Sequence, residues 1–156
     1  MSDKTNAIRL IQQAKLAYRE VFYEFSENDS IGLHTAQAVG IPVEQVFKTL
    51  VARGDRTGIQ VFCIPACCEL DLKKAAKASG NKKIELVHVK DLLGLTGYIR
   101  GGCSPIGMKK HYPTYIDETC TLWDEISVSA GARGHLIIIK PDQLVSFIHG
   151  NVVDLT

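Results

Sequence analysis

The chain has 156 residues, which suits one domain with a substantial buried core. Its 46% hydrophobic and 22% charged residues, with a net charge of +1, are ordinary for a folded soluble protein. No apolar run approaches the roughly 20 residues of a membrane helix, and the opening Met1-Ser2-Asp3-Lys4-Thr5-Asn6 is polar, so a cytoplasmic protein without membrane contact is expected.

Ala7, Ile8, Ile11, Ala14 and Leu16 recur at helical spacing after the capping residue Thr5, which predicts a helix over about 5–16. The segment Ala17 to Phe25 is rich in aromatic and β-branched residues and reads as a strand. His34 to Val39 is a short helix stopped by Gly40, and Pro42 opens a turn. Val46 to Ala52 and Ile59 to Ile64 form a hairpin around Gly54-Asp55-Arg56-Thr57-Gly58, ended by Pro65. Asp71 caps a helix from Leu72 to Ala78 that stops at Ser79-Gly80. A short strand near 84–87 and a helix near 89–94 follow. Gly97 to Gly107 is a loop with several glycines and one proline. Strands are expected near 114–116, 125–129 and 135–139, then a helix from Pro141 to about Ile148 and a short strand at Val152-Val153. Helices and strands mix without a regular β-α-β alternation, so the expected class is α+β on a mixed or antiparallel sheet. Spacing leaves closure into a barrel open.

The five cysteines, Cys63, Cys67, Cys68, Cys103 and Cys120, are odd in number and form no zinc-finger spacing. Structural or incidental thiols are the main reading. The five histidines are scattered, and no metal site is expected. Residues 71–111 hold nine of the 18 Lys and Arg but only Asp71, Glu85 and Asp91 as acids. This basic stretch is either a solvated surface or a limited contact with a phosphate backbone.

Three segments could carry chemistry. Lys48 stands in the otherwise apolar run Val46-Phe47-Lys48-Thr49-Leu50-Val51. It faces either solvent or a cleft, where an ammonium could bind a carbonyl oxygen or a phosphate. Gly101-Gly102-Cys103-Ser104-Pro105 is either a plain tight turn or a loop whose backbone approaches a ligand closely. It has the wrong spacing for a dinucleotide fingerprint and lacks the Gly-Lys-Ser/Thr of a P-loop. Ser127 to Gly134 is a turn of small residues with a hydroxyl and the Arg133 guanidinium. It lacks the G-x-S-x-G elbow, and no serine triad can be assigned.

Four stretches in order carry a resemblance: Phe47-Lys48-Thr49-Leu50, Leu72 to Lys77, Thr96 to Lys110, and Val128 to Gly134. Together they resemble the YbaK/EbsC family, also called the prolyl-tRNA editing domain family, from about Ala7 to Leu144. The resemblance implies a single α+β domain over 1–156, with a mixed, mostly antiparallel, β-barrel-like sheet and surrounding helices. It implies a trans-editing deacylase that hydrolyses the aminoacyl ester on a mischarged tRNA, with Cys-tRNA(Pro) as substrate. It places Lys48 and Gly101 at the catalytic positions. Tyr23, Thr49, Gly102, Ser104, Pro105, Ser129 and Gly131 fall on substrate-binding ones. The substrate's own thiol would attack its ester carbonyl, so neither metal nor cofactor is implied. The implied partners are the aminoacylated tRNA 3′ end and, transiently, prolyl-tRNA synthetase.

Two departures from the family pattern stand out. Cys103 occupies the middle of the glycine loop, where an aliphatic residue is expected. The stretch Glu24 to Asp29 lacks the usual histidine and aspartate order. Two other readings remain: the same fold clearing another amino acid such as Ala, and an inactive module that binds tRNA or a synthetase.

Overall fold

The computed structural model describes residues 4–26 and 32–156. Glu27, Asn28 and Asp29, part of the divergent stretch after Tyr23, lie outside the described residues. The chain opens with α1 (Asn6–Ala14). The Thr5 hydroxyl caps it by accepting from the Ile8 N–H at 3.1 Å. Lys15, with φ of 58°, ends it in the left-handed conformation. Its Ala7, Ile8 and Ile11 are buried and join the main core with Ile126, Val128 and Ala130. Burying each such isoleucine side chain stabilises the fold by about 1.5–3 kcal/mol.

Next come β1 (Arg19–Phe22) and α2 (Leu33–Val39), with a 3₁₀ turn at Val43–Gln45. The long hairpin is β2 (Phe47–Gly54) and β3 (Gly58–Pro65), followed by α3 (Leu72–Ala78). Then follow β4 (Ile84–Leu86), α4 (Val89–Thr96) and β5 (Thr114–Asp117), with a 3₁₀ turn at Glu118–Leu122. The chain closes with β6 (Ile126–Ala132), β7 (His135–Ile139), α5 (Pro141–Ile148) and β8 (Asn151–Val153).

Among the described residues eight strands make two sheets. Strands β4-β2-β3-β5-β8 form the larger and β1-β7-β6 the smaller. Pairing is antiparallel except for β3 with β5 and β5 with β8, which run parallel. The sheet is therefore mixed and mostly antiparallel, as the resemblance implies. A parallel bridge between Val46 and Ser127 joins the two sheets. The arrangement is barrel-like but not closed, because no ladder links β8 to β1 among the described residues.

The differences from the sequence reading have local causes. The first strand is shorter than expected. Tyr23 still donates its N–H to the Gly134 carbonyl at 2.9 Å, but the backbone then leaves the ladder to wall the cleft described below. Strand β6 runs past Ser129 because the register shifts between Ser129 and Ala132, and this irregularity lets the strand continue to its turn. The 3₁₀ turn at Val43–Gln45 falls where Pro42 was expected to open a turn, whereas the one at Glu118–Leu122 carries no apolar period and was not legible in the sequence.

Candidate functional site

Lys48 sits on β2, opposite Ile64 of β3. It is half-buried and projects into a cleft of about 880 Å³ between the two sheets, roofed by β4 and α4. Burial holds its pKa below the ordinary lysine value, and the nearby Cys68, Glu69 and Cys67 offset part of that effect. The cleft forms here because β2, paired with β3 on one side, lacks a neighbour along its other edge. On that edge, beyond the Val46–Ser127 bridge, β2 regains a partner where the Val51 carbonyl accepts from the Val87 N–H at 3.0 Å. Between these points lie Phe47, Lys48, Thr49 and Leu50, all of which line the cleft. The Thr49 hydroxyl also lies 3.8 Å from the Cys63 thiol.

The opposite wall is the loop between α4 and β5. Gly97, with φ of 87°, ends α4. The Thr96 hydroxyl donates to the Leu92 carbonyl and accepts from the Tyr98 N–H, which ties the loop to the helix. The Tyr98 hydroxyl donates to the Ile106 carbonyl at 2.6 Å and closes the loop on itself. Gly101 also needs its positive φ of 87°, and a Cβ there would lie 2.8 Å from the Phe25 ring. Only a glycine lets the backbone reach the cleft at this point.

Arg133, the first residue of the β6–β7 turn, fastens that loop. Its Nε donates to the Arg100 carbonyl at 2.9 Å, and its guanidinium lies 4.8 Å from the Phe25 ring centroid. Arg100 and Arg133 line the cleft with Lys48, so three cations face it. Such a wall suits an anionic or carbonyl-bearing ligand.

The fold brings Tyr23, Lys48, Thr49, Gly101 and Ser129 to this cleft. The remaining candidates lie behind its wall. Gly102 is buried, and its N–H is satisfied by the Ile99 carbonyl at 3.0 Å. A Cβ on Gly102 would come 3.0 Å from the Ala132 backbone, so its smallness lets the loop pack on β6. Ser104 is fully buried, and its hydroxyl accepts from the Ile106 N–H at 3.2 Å. Pro105 is buried and lines a separate small hollow with His111, Tyr112 and Phe147. Gly131 packs on Tyr98, and its N–H donates to the Ser129 hydroxyl at 3.1 Å.

Sequence reasoning missed Phe25, Thr35, Arg100 and the apolar residues Leu86, Val89 and Leu92, which also line the cleft. It noted the Arg133 guanidinium but gave it no role. The one usable signal was Arg100 next to the double glycine. The departure Cys103 also lines the cleft. Burial pushes its thiol up to about 11, so it stays protonated at neutral pH. Among the described residues no three His, Cys, Asp or Glu side chains converge as metal ligands, and no helix is long and apolar enough to cross a membrane.

Comparisons with known proteins follow the same lines. The profile of the family described as the aminoacyl-tRNA editing domain matches residues 32–147. A protein of Enterococcus faecalis, provisionally named as the Cys-tRNA(Pro)/Cys-tRNA(Cys) deacylase EbsC, is 49% identical over 153 residues. That match covers 98% of this chain and 93% of the relative. A Bacillus subtilis protein, YwhH, is 26% identical over 131 residues, covering 83% of this chain and 82% of its own. Among solved structures, a provisionally assigned trans-editing enzyme for prolyl tRNA synthetase superposes with a TM-score of 0.82 at 27% identity, covering 99% of both chains.

Proposed function

The chain belongs to the aminoacyl-tRNA editing domain family, and from that premise we propose that it is a trans-editing deacylase, one editing domain over 1–156, acting on mischarged Cys-tRNA(Pro). The observation that carries the proposal is the convergence of Lys48, the Gly101 backbone and Ser129 on one cation-lined cleft. The E. faecalis relative supports cysteine as the amino acid cleared.

In the proposed reaction the substrate thiol attacks its own ester carbonyl. A sulfur–carbon bond forms as the ester carbon–oxygen bond breaks, and the thiol proton ends on the ribose oxygen. Water then opens the cyclic thioester to free cysteine. The protein supplies position and charge. The Lys48 ammonium holds the carbonyl oxygen as negative charge grows on it, and Gly101 gives the ester close access to the backbone. Tyr23, Thr49 and Ser129 line the path of the aminoacyl group. Gly102, Ser104, Pro105 and Gly131 act one layer out, holding the loop in shape. Arg100, Arg133 and the exposed Lys90 of α4 offer positive charge to the phosphates of the tRNA end. The proposal places the reaction in the cytoplasm, with prolyl-tRNA synthetase as a transient partner. The prolyl trans-editing neighbour supports that partnership.

The test is deacylation of Cys-tRNA(Pro), Ala-tRNA(Pro) and Ser-tRNA(Pro) side by side. Rapid loss of cysteine alone supports thiol-assisted cleavage. Comparable loss of alanine or serine instead requires a water held by the protein and another substrate preference. No loss of any leaves a tRNA- or synthetase-binding module.

A further inference from the structure

Cys67 and Cys68 play no part in the proposed chemistry, yet they directly follow Ala66, which lines the cleft. They form the turn that follows β3, with their Sγ atoms 4.0 Å apart. Cys67 is exposed and Cys68 half-buried, whereas Cys63, Cys103 and Cys120 are buried. Burial pushes those three thiols up to about 12, 11 and 11, which leaves them unreactive near neutral pH. The adjacent pair is therefore the accessible thiol chemistry of the described fold.

The turn is bound to the strand that carries Lys48. Pro65 pairs with Phe47, and the Ala66 N–H donates to the Val46 carbonyl at 2.7 Å. Ala66 itself lines the cleft. The Cys68 N–H donates to the Pro65 carbonyl at 3.0 Å and closes the turn. Both thiols lie near enough to act electrostatically on the Lys48 ammonium. Gly32 allows no slack on the other side, because even a methyl group there would collide with Ala66.

We propose that Cys67 and Cys68 are a thiol–disulfide exchange site through which low-molecular-weight disulfides regulate the Lys48 cleft. The inference rests on the proposed deacylase reading only for its effect on activity. Exposed Cys67 attacks the external disulfide, forms a mixed disulfide and releases one thiol. Cys68 then attacks the Cys67 sulfur, forms the Cys67–Cys68 bond and releases the second thiol. Two protein thiols are oxidised and one external disulfide is reduced to two thiols. Burial, followed by the neighbouring Cys67 thiol, holds Cys68 above the ordinary thiol range, so its attack speeds up as pH rises. Neighbouring Cα atoms are about 3.8 Å apart, closer than disulfides favour, so the ring is strained and readily reduced. Closing it distorts the Cys67–Cys68 peptide and displaces the Cys68–Pro65 turn bond. That shift passes along Pro65 and Ala66 to the strand bearing Lys48.

The experiment treats the full chain with oxidised glutathione and follows three readouts: intact and peptide mass, the rate at which Lys48 is acylated by an amine-reactive ester, and deacylation of Cys-tRNA(Pro). The expected result is a mass lower by two hydrogens, confined to the peptide holding Cys67 and Cys68. Lys48 labelling changes rate, and deacylation falls on the order of tenfold or more. Dithiothreitol reverses all three. Cys68→Ser stops at the mixed disulfide, and Cys67→Ser keeps its reduced-state activity throughout. Oxidation that falls on the buried thiols instead, or a ring that leaves Lys48 labelling unchanged, overturns the proposal. If the reduced protein does not deacylate any substrate, the deacylase reading fails, while the mass and labelling results still decide the thiol site.

Discussion

The Arg133 side chain donates through Nε to the Arg100 carbonyl at 2.9 Å. This bond ties the turn after β6 to the glycine loop that packs beside it, with the same guanidinium over Phe25. One side chain thus fixes three pieces of the cleft wall that are distant in sequence. Arg133→Ala should lower kcat/KM by about tenfold, equivalent to about 1.4 kcal/mol. Arg133→Lys should not rescue it, because a lysine lacks the planar fork that bonds the carbonyl and covers the ring together. Steady-state kinetics of both variants check this. A lysine variant with full activity would show that only the charge matters.

Lys48 is expected to contribute much of the carbonyl stabilisation, so Lys48→Ala should cost about 10²–10³ in kcat. Because burial lowers its pKa, the active ammonium is lost as pH rises through a value below the ordinary lysine range. Activity should therefore fall on the alkaline side, and Lys48→Arg should move that limb upward. A limb that stays in place in the arginine variant would assign it to another group.

The same lowered pKa bears on stability. The unfolded chain holds the Lys48 proton more tightly than the folded one, so stability rises with pH between the folded and unfolded values. Below the folded value the full cost of the half-buried charge is present. Lys48→Met should then raise Tm at neutral pH while lowering kcat as Lys48→Ala does. Thermal unfolding followed by circular dichroism decides it, and a lower Tm would count against the cost of burial.

Gly102→Ala places a Cβ 3.0 Å from the backbone of Ala132 and Arg133, neither of which is a flexible chain end. Overpacking of this kind costs about 1–3 kcal/mol, and each kcal/mol lowers Tm by about 2–4 °C at this chain length. Gly101→Ala adds a strained φ to contact with Phe25, but the ring can move. It should therefore lose more activity than stability. Paired Tm and kinetic measurements separate the two.

Asp117 is fully buried. One carboxylate oxygen accepts from the Leu155 N–H at 2.8 Å and the other from the Thr119 hydroxyl at 2.6 Å. Asp117→Ala leaves these donors unpaired and should cost about 1–3 kcal/mol, measured as a shift in urea midpoint. Kinetic constants below the melting range should stay the same, since the residue lies away from the cleft.

Much of the fold was legible because its signals are local. The helix Leu72–Ala78 was read to the residue and the helix from Pro141 to about Ile148 from its proline start, since caps and breakers act within one turn of the chain. The β2–β3 hairpin was legible from its glycine turn. Lys48, the double glycine and the Ser129 turn each stood out as breaks in composition, and a family resemblance linked them. The tertiary structure alone decided that β3 pairs in parallel with β5, that the two sheets meet at Val46 and Ser127, and that β2 is left open between that bridge and Val51. It also decided that Gly101 faces the cleft while Gly102, one residue on, is sealed against β6. Local pattern records what each residue prefers over a turn or a pleat. Which edges and faces meet depends on contacts between residues tens of positions apart, and these leave no period in the sequence.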